Sequence, residues 1–274
     1  MTRTDAYGIT DKLDDETLQV LVDRLEARAK HPQFMAMLTQ YLDVMGIDSA
    51  PRVLDVGCGA GVAARAVAQR PAFRGRVTAI DLSDFLVRAG RGFANSEGVA
   101  QRIEFFVGDT QQLKLADTSF DAAIAHTLLS HVEQPLKVLQ ELHRVVRPGG
   151  LIGIFDGDYA SITFGHEDPA VGARFDAVVR NAIITNAMVM RQMPRLLKQA
   201  QLEVIAFFPH VIAEAGTADY WSTSIQSFRR ILPKSGQIGE AEANAWADAM
   251  QRDSLQGKFF GACNFYTYVV RRSA

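Results

Sequence analysis

The sequence predicts an α/β protein built on a doubly wound, mostly parallel sheet with helices on both faces. Two observations carry that expectation. Arg52-Val-Leu-Asp-Val56 is a short apolar strand pattern that stops abruptly at Gly57, and Val62 to Arg70 continues as a good helix former. Across residues 50–158, β-prone runs then alternate with longer amphipathic segments, the pattern of parallel strands and their crossover helices. A length of 274 residues suits one large domain, or one domain with a sizeable insertion.

Composition narrows the function classes. A hydrophobic share of 48% with 22% charged residues is that of an ordinary globular protein. With 29 basic against 31 acidic side chains, no global field recruits nucleic acid or an anionic membrane. Cys58 and Cys263 are far apart and form no C-x-x-C pair, which suggests two core thiols rather than a disulfide framework or zinc site. The first residues lack the apolar core of a signal peptide, and no uncharged apolar run reaches the roughly 20 residues that span a bilayer. A cytoplasmic setting, as monomer or homodimer, is the expectation.

In chain order, residues 1–13 form a polar lead-in and Asp14 or Asp15 caps a helix through about Lys30, with Leu18, Leu21, Val22 and Leu25 at helical spacing. A second helix follows Pro32 and ends at Gly46. After the first strand, Gly57, Gly59 and Gly61 alternate, leaving helix-end N–H groups uncovered and letting a ligand approach the backbone closely. The dinucleotide fingerprint would require glycine at 62, where Val62 stands, and Asp55 is also foreign to it. That argues against a nicotinamide-dependent oxidoreductase.

Arg76 to Asp81 is the second strand, and a carboxylate at its end can serve both ribose hydroxyls of a nucleoside or cap the next helix. Arg102 to Asp109 is the third strand and Ser119 to Ala125 the fourth. Residues 134–146 form an amphipathic helix, which Arg144-Val-Val-Arg-Pro-Gly-Gly150 turns into strand five at 151–155.

VLDVGCGAG (53–61), the acidic end of strand two, the Gly108-Asp109 step and the RVVRPGGL turn stand in the order and spacing of class I S-adenosylmethionine-dependent methyltransferases. Over about 50–158 the chain closely resembles that family, in particular the small-molecule members of quinone and secondary-metabolite biosynthesis. The resemblance implies a Rossmann-like, seven-stranded sheet whose last strand is antiparallel. It also implies S-adenosyl-L-methionine as cofactor, beside Asp55, Gly57, Cys58, Gly59, Gly61, Asp81 and Leu82. Asp109 would recognise the adenine amino group and Thr110 a ring nitrogen, although Gly-Asp is also a common turn dipeptide. Arg28 is a candidate for the cofactor's carboxylate, or simply an exposed helix-face arginine.

His126, His131 and Tyr159 are the candidate catalytic residues. His126 would face the sulfonium or act as a base, or be inert, and His131 is either catalytic or structural. Asp156, Asp158 and Tyr159 are expected in a loop at the sheet edge, as solvated groups, acceptor contacts or, least of all, metal ligands beside His166 to Asp168. The expected organisation is a single methyltransferase domain: N-terminal helices over 1–48, the cofactor-binding core over 50–158, substrate-side helices and an insertion with strand six over 159–257, and the last strand over 258–274. Tyr220, Trp221 and Phe228 are spaced to roof an acceptor pocket or to pack in a core. Gln201 stands where the family often has a helix-ending glycine, and Gly261 with Asn264 suggests a bulge. The expected activity is methyl transfer to a small molecule by in-line displacement. A tRNA or protein acceptor is the alternative, and arsenite is disfavoured by having only two thiols.

Overall fold

The computed structural model describes residues 5–273. Asp14 caps α1 (Asp15–Lys30) by accepting from the Thr17 N–H, and Pro32 opens α2 (Pro32–Val44) at the position where its missing N–H costs nothing. Then follow β1 (Arg52–Val56), α3 (Val62–Gln69), β2 (Arg76–Asp81), α4 (Asp84–Ser96), β3 (Ile103–Val107), β4 (Phe120–His126), α5 (Pro135–Val145) and β5 (Val146–Phe164). The second half contributes α6 (Pro169–Ile183), α7 (Val189–Gln199), β6 (Leu202–Gly216), α8 (Tyr220–Ile231), α9 (Glu240–Leu255) and β7 (Phe259–Arg272).

Among the described residues the sheet has seven strands in the order β3-β2-β1-β4-β5-β7-β6. The first five run parallel, and β7 lies antiparallel between β5 and β6, as expected. Two buried clusters cover its faces. Tyr41 of α2, Val67 of α3 and Phe228 of α8 belong to one, and Leu139 and Leu142 of α5 with Met193 of α7 to the other. Both thiols are free and buried.

Three expectations need correction. Strand five does not end at 155: it runs to Phe164, because β7 supplies partners for Asp156, Gly157 and Asp158 and again for Thr163 and Phe164. The carboxylates at 156 and 158 are therefore not in a solvated loop. Asp156 is fully buried and accepts from the Ser130 N–H and hydroxyl, both at 2.9 Å, while Asp158 accepts from Arg191 Nε at 2.9 Å. The irregularity suggested by Gly261 and Asn264 falls on the partner strand, between Asp158 and Thr163. Gln201, by contrast, does take the left-handed turn in glycine's place, with φ +57°.

Candidate active site

The glycine turn is left-handed at all three positions, with φ of +64° at Gly57, +54° at Gly59 and +80° at Gly61. The parallel register sets the end of β1 beside the end of β2, with Val56 opposite Ile80, so Asp81 reaches back under the turn. Its Oδ2 accepts from the Gly59 N–H at 2.8 Å and its Oδ1 from the Ser83 N–H at 3.0 Å. The Leu82 N–H is a third backbone donor to this carboxylate, and two oxygens with two acceptor sites each still leave capacity for a ligand. Asp55 lies deeper, with Oδ2 accepting from the Ala64 N–H at 3.0 Å and Oδ1 buried without a partner. Burial first, and the Asp81 charge after it, push the Asp55 carboxyl up to about 7.

These groups form one end of a cavity that continues past His126 and His131 to Tyr159 and Trp221. Arg28 lines it and donates to Thr127 Oγ1 at 2.8 Å. Thr127 is a β-branched residue with φ +55°, a conformation such side chains rarely adopt, and its N–H is held by the Phe155 carbonyl. His126 also lines the cavity, with Tyr41 Oη 3.0 Å from its Nδ1 and Phe155 stacked on its ring at 4.6 Å. Burial and the nearby Arg28 charge lower its pKa to about 3, so the imidazole is neutral at ordinary pH and a weak base.

Further along the wall, His131 and Tyr159 face the same cavity. His131 Nδ1 lies 3.0 Å from both carboxylate oxygens of Asp5, and Asp5 also accepts from the Thr185 N–H and hydroxyl at 2.8 Å. Burial pushes the Asp5 carboxyl upward, but its His131 and Thr185 contacts outweigh that and hold it below the ordinary range. An ionised carboxylate only accepts, so His131 must donate from Nδ1, which leaves Nε2 free to carry a lone pair in the neutral ring. Burial, chiefly, raises the Tyr159 phenol well above its usual pKa, so it keeps its proton. Tyr220, Trp221 and Phe228 line the cavity, and Trp221 and Phe228 are at the same time core side chains packed against Phe164.

The structure brings Arg28, Asp55, Gly57, Cys58, Gly59, Asp81, His126, His131 and Tyr159 to this wall. Gly61, Leu82, Asp109 and Thr110 stand outside it. At Gly61 a Cβ would meet the Phe105 ring at 2.7 Å, so glycine there serves packing. Leu82 is 39% exposed, and Asp109 is an exposed turn carboxylate accepting from the Gln111 N–H. At Gly57 the group a Cβ would strike is Leu128, at 2.4 Å. Sequence reasoning missed Asp5 and Tyr7, which it left in the polar lead-in, and Arg24, which sits one turn before Arg28 on the same face of α1. Behind the lining residue Tyr220, whose ring lies 5.5 Å from that of His31, the side chains of His31, Glu214 and Asp219 place ligand-type atoms within 4.8 Å of one another. Glu214 is already committed to the N–H groups of Asp219, Tyr220 and Trp221 at the start of α8.

The sheet order, the glycine turn and the acidic end of β2 define a class I S-adenosylmethionine-dependent methyltransferase. Residues 54–154 match the family described as methyltransferase domain. It is 29% identical over 252 residues to an uncharacterized 37.1 kDa protein in transposon TN4556 of Streptomyces fradiae, a match covering 91% of this chain and 70% of that protein. To the sterol 24-C-methyltransferase erg6 of Aspergillus fumigatus it is 32% identical over 131 residues, 48% of this chain. The chain spans only about a third of that enzyme, 33% of its length. Among solved structures, the geranyl diphosphate C-methyltransferase of Streptomyces coelicolor A3(2), in complex with S-adenosyl-L-homocysteine, superposes with a TM-score of 0.52 at 15% identity. That match covers 87% of this chain and 76% of the other, a likeness of fold. No helix among the described residues is long and apolar enough to cross a membrane.

Proposed function

We propose that this methyltransferase acts on a small-molecule acceptor bound in the aromatic half of the cavity, with His131 as general base and Asp5 as its positioning residue. The observation that carries the proposal is that one cavity holds the glycine turn and Asp81 at one end and the Asp5–His131 pair at the other.

The residues fit the cofactor. Glycine backbone at 57 and 59 lining the cavity, a buried Asp81 with acceptor capacity to spare and an Arg28 guanidinium without a carboxylate partner among the described residues suit a nucleoside with an amino-acid tail. S-adenosylmethionine, when bound, supplies an electrophilic methyl group on a sulfonium. In this reading Asp81 holds the ribose hydroxyls and Arg28 the carboxylate. The enclosing aromatic side chains exclude water and orient the acceptor, an effect worth on the order of 7–11 kcal/mol in favourable cases. His131 Nε2 takes the proton of an acceptor hydroxyl or amine, which contributes typically about 10²–10⁴-fold. Tyr159, kept protonated, donates a hydrogen bond to the acceptor and is no base. His126, neutral and tied to Tyr41, shapes the wall.

Methyl-labelled S-adenosylmethionine tests the reading when incubated with the protein and separate panels of phenols and isoprenoids, total tRNA and protein extract. Label is expected in the small-molecule fraction, and His131→Ala is expected to cut its rate about a hundredfold without changing S-adenosylhomocysteine affinity. Label in tRNA or protein alone would overturn the acceptor class; an unaffected His131→Ala rate would remove the base.

A further inference from the structure

The cavity carries more positive charge than its cofactor accounts for. Arg24 and Arg28 lie one helical turn apart on α1 and both line the cavity. Arg28 is the one at the glycine-turn end, bonded to Thr127. Arg24 lies toward the acceptor end, its guanidinium carbon 5.9 Å from the Tyr7 ring centroid and 5.7 Å from that of Phe228; it is hydrogen-bonded to the Tyr220 phenol, and the Tyr159 phenol also acts on it. Among the described residues it belongs to no ion pair, although many of the chain's other arginines do.

Among the described residues no carboxylate in the wall is available to it. Asp55 and Asp81 are committed under the glycine turn, and Asp5 is committed to His131 and Thr185. Arg180, a further cation in the wall, has Asp176 as a neighbouring countercharge. Arg24 is half-buried, and a guanidinium that faces a largely aromatic and aliphatic space with a neutral phenol as its partner is better satisfied when an anion meets it; the planar fork of arginine suits a carboxylate.

Building on the proposed small-molecule reading, we infer that the methyl acceptor bears one carboxylate, held by Arg24, while Trp221, Phe228 and Ile231 take its apolar body. One half-buried cation balances one negative charge, which favours a carboxylate over a phosphate or diphosphate. The carboxylate end sets the depth to which the acceptor enters, and thereby which of its atoms reaches His131.

The test is calorimetry on the full chain saturated with S-adenosylhomocysteine, titrated with 4-phenylbutyrate, 4-phenyl-1-butanol and 4-phenylbutyl phosphate. The acid is expected to bind about ten- to a hundredfold more tightly than the alcohol. Arg24→Met should erase that preference, Arg24→Lys should retain part of it, and all forms should bind S-adenosylhomocysteine alike, which also shows them folded. Equal binding of acid and alcohol, no saturable binding of the acid, or an Arg24-dependent preference for the phosphate would overturn the inference. Loss of S-adenosylhomocysteine binding in Arg24→Met, with wild type normal and Arg24→Lys folded by circular dichroism, would overturn it by assigning Arg24 to the cofactor. Failure of the wild type to bind S-adenosylhomocysteine would sink the underlying reading instead.

Discussion

The two ends of the cavity are assembled in different ways. The glycine-turn end is drawn from the short stretch between Asp55 and Asp81, where neighbouring parallel strands bring a turn and a carboxylate together through backbone hydrogen bonds. The opposite end combines Asp5 from the lead-in, Arg24 from α1, His131 from the segment after β4, Tyr159 from β5 and Phe228 from α8. A site made by strand register tolerates little change in its own side chains, because every partner is fixed backbone. A site made by distant segments is held by side-chain pairs, and each pair can be loosened without disturbing the sheet.

The largest expected effect is at the register-built end. Asp81→Ala removes the acceptor for the Gly59 and Ser83 N–H groups and, in the proposed reading, for two ribose hydroxyls. Charge-assisted hydrogen bonds are worth about 1.5–3 kcal/mol each, so S-adenosylmethionine affinity should fall at least ~100-fold. Calorimetry checks this, and an unchanged affinity would break the comparison at its firmer end.

Next in size is Asp5→Asn at the other end. The amide cannot enforce the Nδ1–H tautomer as an ionised carboxylate does, so kcat should drop by about 10–100-fold. Cofactor affinity should hold and the pH–rate profile should shift. A parallel loss of cofactor binding and melting temperature, with the profile unmoved, would make Asp5 only a structural tie between the lead-in, His131 and Thr185.

Much of the first end was legible in the sequence and little of the second. Alternating glycines after an apolar run have few meanings, and Val62 together with Asp55 discriminates between the nucleotide folds that use them. Gln201 was legible for the same local reason: a helix-ending turn sets its backbone whatever lies elsewhere. Asp5 and His131 are 126 positions apart, and a lone aspartate in a polar lead-in carries no signal of a buried partner. Asp156 misled for a related reason. A carboxylate after a strand is usually solvated, and only β7, returning from the far end of the chain, extends β5 and buries it.

A smaller effect concerns pH. The folded Asp55 carboxyl titrates at about 7 against an ordinary value of 3.8, with burial as the main cause. Between those values the folded state binds more protons than the unfolded chain, so this group makes stability fall as pH rises through the window, with no further loss above about 7. Asp55→Asn does not titrate. In the cofactor-free protein, its melting temperature relative to wild type should rise from pH 4 to pH 8, by about 3 °C or more. A constant offset across that range would mean that Asp55 ionises normally in the fold.

Asp109 marks where the register-built end stops. It follows β3, an edge strand, and its exposed carboxylate closes a turn by accepting from the Gln111 N–H. If it also meets the adenine amino group, that bond competes with water and is worth about 0.5–1.5 kcal/mol, a two- to tenfold change in affinity. Asp109→Ala should therefore weaken S-adenosylmethionine binding by several-fold at most, at least ten times less than Asp81→Ala, while S-methyl-5′-thioinosine, which lacks the amino group, should lose nothing further in the variant. An effect as large as that of Asp81→Ala would mean that the β3 turn closes over the cofactor and buries Asp109 when it binds. The boundary between the two ways of building this cavity would then lie one strand further out.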